Sequence, residues 1–244
     1  MYNNDHKKYI IEKDVKDTFG AYLLENAQFA GYYDMPVIDV KVNDYPKHLV
    51  AYSQLTSTEI EPNTFCHFYE FDYKFDGRDG IWNSMIQGTY FKRGFNLDKL
   101  DRLSGIISPD FSCYLDMPRV MRIWNVYRSR TVCYRLNKLG YLCIPNVRWT
   151  DEESYKYAFD GIAKGSAVAI GTLGCSKEEY DKYLFNKGLR EMIIRIKPSL
   201  IIIYGSLTKE IKNILDTNNQ EYVFFPSQTS KYFGGKEWYG NEIK

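Results

Sequence analysis

From residue 105 to residue 227, short continuous apolar runs alternate with helix-length segments, and this rhythm constrains the fold more than any other feature of the chain. The runs are Gly105-Ile-Ile-Ser-Pro-Asp110, Tyr141-Leu-Cys-Ile-Pro-Asn146, Ser166-Ala-Val-Ala-Ile-Gly171, Leu200-Ile-Ile-Ile-Tyr204 and Glu221-Tyr-Val-Phe-Phe225. Uninterrupted apolar strands of this kind belong to a parallel sheet covered by helices, because both sheet faces must then be buried. The segments between them predict helices over 117–139, 152–159, 177–196 and 209–215. Gly140 and Pro198 supply stop signals for two of these helices.

Ahead of this region the pattern is less regular. Three β-favouring stretches, 35–40, 48–53 and 64–69, are separated by turn residues such as Asn43-Asp44-Tyr45-Pro46 and Glu61-Pro62-Asn63. The connections are too short for helical crossovers, so hairpin pairing is expected here. A helix is expected over 80–103, interrupted near Gly88 and Gly94. With these strands the total is about eight, the number that closes a (β/α) barrel. The predicted fold is therefore α/β with a mainly parallel sheet and alternating helices, an irregular barrel-like arrangement being favoured over an open doubly wound sheet. One domain over 21–229 is expected, preceded by a charged extension at 1–20, perhaps-free of chemistry, and followed by a tail at 230–244.

Composition narrows the function classes. Hydrophobic residues make up 44% of the 244 and charged residues 26%, enough apolar surface to form a core, so global disorder is excluded. The 32 basic residues nearly cancel the 31 acidic ones, so any anion-binding site must be local. The opening residues lack the apolar stretch of a signal peptide and no apolar run is long enough to span a membrane, which predicts a cytoplasmic protein. Five cysteines, none spaced Cys-x-x-Cys, argue against a disulfide framework or a zinc knuckle. With three histidines, a Ser-His-Asp triad or a histidine-rich metal site has too few parts, and no metal site is assigned.

In either architecture, ligands bind where parallel strands end. The residues at those ends include Asp110, Asn146, Arg148, Trp149, Thr172, Cys175, Tyr204 and Ser206, with Asp72 beside them if the early strands join the same sheet. Arg148 suits a phosphate or carboxylate, or else pairs with Asp110 or Asp151 to tie loops together. Asp110 and Asp72 are candidates for a general acid and base, Asn146, Arg148, Trp149, Thr172, Cys175, Tyr204 and Ser206 for ligand binding. Cys175, placed after a strand and before a helix, is a candidate nucleophile whose thiolate a helix N-terminus would favour; a passive thiol is the alternative. No cofactor is specified.

The helix containing Arg119–Lys138 has no acidic residue, and Ile123, Trp124, Tyr127 and Leu136 form its expected buried stripe. Arg122 and Arg130 on another side are candidates for contacting a host protein or nucleic acid, or for a solvated face. Thus two readings stay open: an enzyme or binder of an anionic small molecule or nucleotide, and a non-enzymatic interaction protein.

Several stretches carry a family resemblance: Gly105-Ile-Ile-Ser-Pro-Asp-Phe-Ser-Cys-Tyr-Leu-Asp-Met-Pro118, Ile123-Trp-Asn-Val-Tyr-Arg-Ser-Arg130, Ile144-Pro-Asn-Val-Arg-Trp149, Phe159-Asp-Gly-Ile162 and Val168-Ala-Ile-Gly-Thr172. Together with Phe71-Asp-Tyr-Lys-Phe75 and Ile81-Trp-Asn83, the chain from 23 to 227 resembles the domain of unknown function numbered 4417. The resemblance implies a phage or mobile-element origin and a bacterial host, and adds no mechanism. Gly77-Arg-Asp-Gly80 departs from the pattern by lengthening the segment between Phe75 and Trp82.

Overall fold

The computed structural model describes residues 20–42, 45–89, 95, 97–175 and 178–227; the expected 1–20 helix, the Gly94 break and the 230–244 tail lie wholly or almost wholly outside these residues. Nine strands are assigned among them: β1 (Phe29–Ala30), β2 (Met35–Pro36), β3 (His48–Ala51), β4 (Thr64–His67), β5 (Gly105–Ile107), β6 (Cys143–Ile144), β7 (Val168–Gly171), β8 (Ile201–Gly205) and β9 (Tyr222–Pro226). The helices are α1 (Ile81–Ile86), α2 (Arg119–Lys138), α3 (Tyr155–Ala158), α4 (Glu179–Ile196) and α5 (Lys209–Thr217).

The α/β class and the parallel pairing follow the sequence rhythm. β3, β4, β5 and β6 form one parallel sheet in chain order, and β7, β8 and β9 form a second. A parallel bridge between Asn146 and Ala169 joins them, with Val147 N–H donating to Ala169 O at 2.8 Å and Ala169 N–H to Pro145 O at 2.9 Å. The seven strands therefore run in chain order, without the reversal that creates the switch point of a doubly wound sheet. Among the described strands no ladder pairs β9 with β3, so hydrogen bonding does not close the sheet into a ring.

Period-two alternation divides the side chains of β7–β9 between two cores. Ala169, Ile202, Tyr204, Val223 and Phe225 join Val50, Cys66, Phe68, Ile106 and Ile144 of the other sheet. Val168, Ile170, Ile201, Ile203 and Tyr222 face the opposite way, with Leu189, Met192 and Ile193 of α4 and Ile211 and Leu215 of α5. Each such aliphatic side chain contributes about 1.5–3 kcal/mol on burial. That packing fixes where the strand ends point.

Three expectations change. The β3–β4 pair is parallel, not a hairpin, because the connection folds a 3₁₀ turn at Tyr52–Gln54 and needs no full helix to return. Antiparallel pairing is confined to β1 with β2, while the rest of the 35–40 stretch is held by a parallel bridge from Ile38 to Ile162. The helix expected over 80–103 is only α1 and a separate turn at Leu97–Lys99, since Gly88 adopts φ +63°, a conformation that leaves the helix.

The largest difference concerns α2. Of its expected stripe only Leu136 is fully buried, and Trp124 is 46% exposed. The buried face instead carries Arg122, Asn125, Ser129, Arg130 and Thr131 beside Val126, Val132 and Cys133. The physical reason is the surface it covers. The chain leaving β5 and β6 ends in backbone carbonyls that need donors, and polar side chains on α2 supply them. Arg122 and Arg130 thus point inward and are not the partner-facing arginines the sequence suggested. No described helix is long and apolar enough to cross a membrane.

Candidate functional site

β5 runs into Ser108-Pro109-Asp110 and β6 into Asn146-Val147-Arg148, so adjacent parallel strands deliver a carboxylate and a guanidinium to the same end of the sheet. Arg148 Nη1 stands 3.7 Å from Asp110 Oδ2 and donates to Gly171 O at 3.4 Å, with both side chains more than four-fifths buried. Asn146 Nδ2 donates to Asp110 Oδ1 at 2.8 Å, and Asn146 Oδ1 accepts from the Tyr69 phenol at 2.9 Å. Four side chains thus form one connected polar cluster.

The backbone beneath this cluster is braced by α2. Ser129 Oγ donates to Pro109 O at 2.7 Å and lies 3.0 Å from Ser108 Oγ, which accepts the Asn146 N–H at 2.8 Å. Arg130, wholly buried, donates through Nη1 to Asn146 O and through Nη2 to Ala158 O, each at 2.7 Å. Arg122 donates to Thr150 Oγ1 and Asp151 Oδ2, at 2.6 and 3.0 Å. These bonds hold both strand exits in one register.

Burial shapes the electrostatics. It raises the Asp110 carboxyl pKa; Arg148 and the Asn146 hydrogen bond oppose that rise, while Asp72 adds to it. Asp110 in turn raises the pKa of Arg148 against the effect of burial, so the guanidinium stays charged. Tyr69 is pushed well above the ordinary phenol value, chiefly by burial and then by the charge of Asp110. The arrangement offers a fixed cation, a buried carboxyl with raised proton affinity and a neutral phenol.

The other sequence candidates have more structural surroundings. Asp72 accepts from Ser112 N–H at 3.1 Å and Ser112 Oγ at 2.9 Å, tying the segment after β4 to the loop after Asp110. Thr172 Oγ1 accepts the Ser206 N–H at 2.6 Å, which clips the β7 and β8 exits together. Trp149 stacks on Phe185 and packs against Gly188 of α4. The Tyr204 ring lies parallel to Tyr69, 5.1 Å between centroids. Cys175 is not an activated thiol: burial raises its pKa first and Asp110 adds to the rise, though Arg148 opposes both.

Sequence reasoning missed Tyr69 and His67. His67 Nδ1 accepts the Tyr69 N–H at 3.1 Å, and its ring lies 4.3 Å from Tyr204. The signal was present, since both residues end a β-favouring stretch; the hairpin expectation removed them from the parallel strand ends. Above Arg148 lies a cleft of about 180 Å³, lined by Cys113, Trp149, Gly174, Cys175 and Phe185, with Tyr114 and Leu115 at its exposed rim and Asp181 on α4. Among the described residues no group of three or more His, Cys, Asp or Glu side chains is arranged to hold a metal ion.

Comparison with known proteins places this geometry in a phage context. The chain is 32% identical over 178 residues to the Gene 1 protein of Mycobacterium phage L5, covering 72% of each chain. It is 31% identical over 178 residues to the Gene 1 protein of Mycobacterium phage D29, covering 72% of this chain and 61% of that relative. No solved structure matches it. The model of the domain of unknown function DUF4417 matches residues 27–222, the span that holds Tyr69, Asp110, Asn146 and Arg148, and the chain belongs to that family.

Proposed function

We propose that the protein binds a small anionic ligand of the phosphorylated or nucleotide type in the cleft above Arg148, with Asp110 as the group that exchanges a proton. The observation that carries this reading is the convergence of Asp110 and Arg148 at 3.7 Å beneath an aromatic-lined cleft. Both described contacts of Arg148 run through Nη1, which leaves the outer edge of the guanidinium fork suited to a phosphate. Trp149, Phe185 and the exposed Tyr114 provide rings against which a base or sugar packs. Asp72 positions Ser112 and the loop that carries the cleft wall.

The same reading takes the seven chain-ordered parallel strands as an irregular barrel whose polar end is the site, in a cytoplasmic protein of phage or mobile-element origin. Strand order without reversal supports the barrel, and the two phage relatives support the origin.

The test is a calorimetric titration of the purified protein with nucleoside mono-, di- and triphosphates and sugar phosphates. One class binds the wild type, and Arg148→Ala weakens it at least tenfold, the scale of about 1.4 kcal/mol lost from a charge-assisted contact. Equal affinity in wild type and Arg148→Ala, with both folded, sinks the reading.

A further inference from the structure

A second cavity, of about 140 Å³, lies away from the Arg148 cleft and is lined by Lys47, His48, Leu49, His67, Tyr204, Phe225 and Pro226. Its walls come from both ends of the strand series, His48 and Leu49 from β3 and Phe225 and Pro226 from β9. These edge strands approach across the cavity without a ladder between them, so the seam stays open where a closed sheet would have backbone pairing.

The seam's polar groups are mostly donors. Lys47 and the half-exposed His48 stand at the mouth, and the buried His67 and Tyr204 form the inner wall. Because His67 Nδ1 accepts the Tyr69 N–H, the ring proton resides on Nε2, which makes the imidazole a hydrogen-bond donor. No carboxylate lines the cavity; the nearest charged competitor is Glu61, 67% exposed and 3.4 Å from His48. The space holds roughly five water molecules at about 30 Å³ each, the scale of a single oxyanion and its hydration.

We infer that the seam between β3 and β9 is an oxyanion site, for a phosphate or a short carboxylate, held by Lys47 and His48 against the His67–Tyr204 wall. It is separate from the ligand cleft proposed above and does not depend on it. His67 stacks on Tyr204, and Tyr204 on Tyr69, so the seam shares a continuous stack of rings with the Asp110 cluster.

The experiment uses the full chain, titrated with inorganic phosphate and, separately, acetate, while the imidazole nitrogen signals are followed by NMR. The chain has only three histidines, so assignment is direct. His48 and His67 shift saturably in the millimolar range, the shifts persist in Arg148→Ala, and Lys47→Ser combined with His48→Asn removes the His67 response. The phosphate and acetate arms then separate an inorganic oxyanion from an organic acid. Absence of saturable shifts with both anions in the wild type overturns the inference, as does a response that vanishes in Arg148→Ala. Should the double variant fail to fold, the wild-type and Arg148→Ala titrations decide by themselves.

Discussion

The Tyr69 phenol donates to Asn146 Oδ1 at 2.9 Å across 77 positions of sequence, and this bond ties the exit of β4 to the exit of β6 over the intervening β5. Gly171 makes the approach possible from the other side: a Cβ there would fall 2.7 Å from two carbons of the Tyr69 ring. The phenol is consequently wedged between the β7 exit and Asn146. Asn146, with its backbone carbonyl held by Arg130 and its amide by Asp110, is the residue through which the cluster is assembled.

Asp110 gives a pH-dependent prediction with a defined sign. Its folded-state pKa is raised, first by burial, with Arg148 and Asn146 opposing. A carboxyl of this kind favours the fold when protonated. Its contribution is fully present below the unfolded-state pKa and is lost as pH rises through the higher folded value. Asp110→Asn removes that slope. Urea denaturation of both proteins between about pH 4 and pH 7 will show the stability of Asp110→Asn, relative to wild type, increasing with pH. A decreasing difference would mean that the Arg148 charge outweighs burial at this carboxyl.

Arg130 gives a prediction about scaffold stability. Burial pushes its pKa down to about 10, so it remains protonated at neutral pH, and its two terminal nitrogens satisfy the carbonyls of Asn146 and Ala158. Arg130→Met matches much of the volume but leaves both carbonyls without those donors. Each orphaned buried group costs about 1–3 kcal/mol, so the variant loses roughly 2–5 kcal/mol in denaturant titrations. A loss below about 1 kcal/mol would show that water or backbone relaxation replaces the arginine.

How far the sequence announced these features depends on what each residue was paired with. The strands β5 to β9 were legible because Ile-rich runs buried on both faces have few alternatives, and Asp110 and Arg148 were legible because they follow those runs directly. The inward face of α2 was not. Arg122, Ser129 and Arg130 look like solvent-facing residues until the carbonyls of Pro109, Asn146 and the other partners beneath them are known. Trp124 was expected inside because apolar spacing alone cannot reveal that the surface opposite a helix is polar. Tyr69 and His67 were hidden by the length of the β3–β4 connection, which a 3₁₀ turn makes sufficient for a parallel return.

Gly188 offers a test in which two ordinary rules oppose each other. It lies in the interior of α4, where replacement of glycine by alanine usually stabilises a helix by about 1 kcal/mol. Here an added Cβ would sit 2.1 Å from Trp149 Nε1 and 2.3 Å from Cδ1, closer than any real contact allows. Trp149 is itself confined between Phe159 and Phe185, so its indole has no nearby position to retreat to without disturbing the aromatic packing. Overpacking of this kind costs about 1–3 kcal/mol and exceeds the helix gain. Gly188→Ala therefore lowers the thermal midpoint and alters the near-ultraviolet circular dichroism of the tryptophans, whereas Gly188→Ala combined with Trp149→Leu recovers part of the loss. A single Gly188→Ala variant more stable than wild type would show that α4 shifts away from the β6 exit at little cost, and that Trp149 does not lock the helix against the candidate cleft.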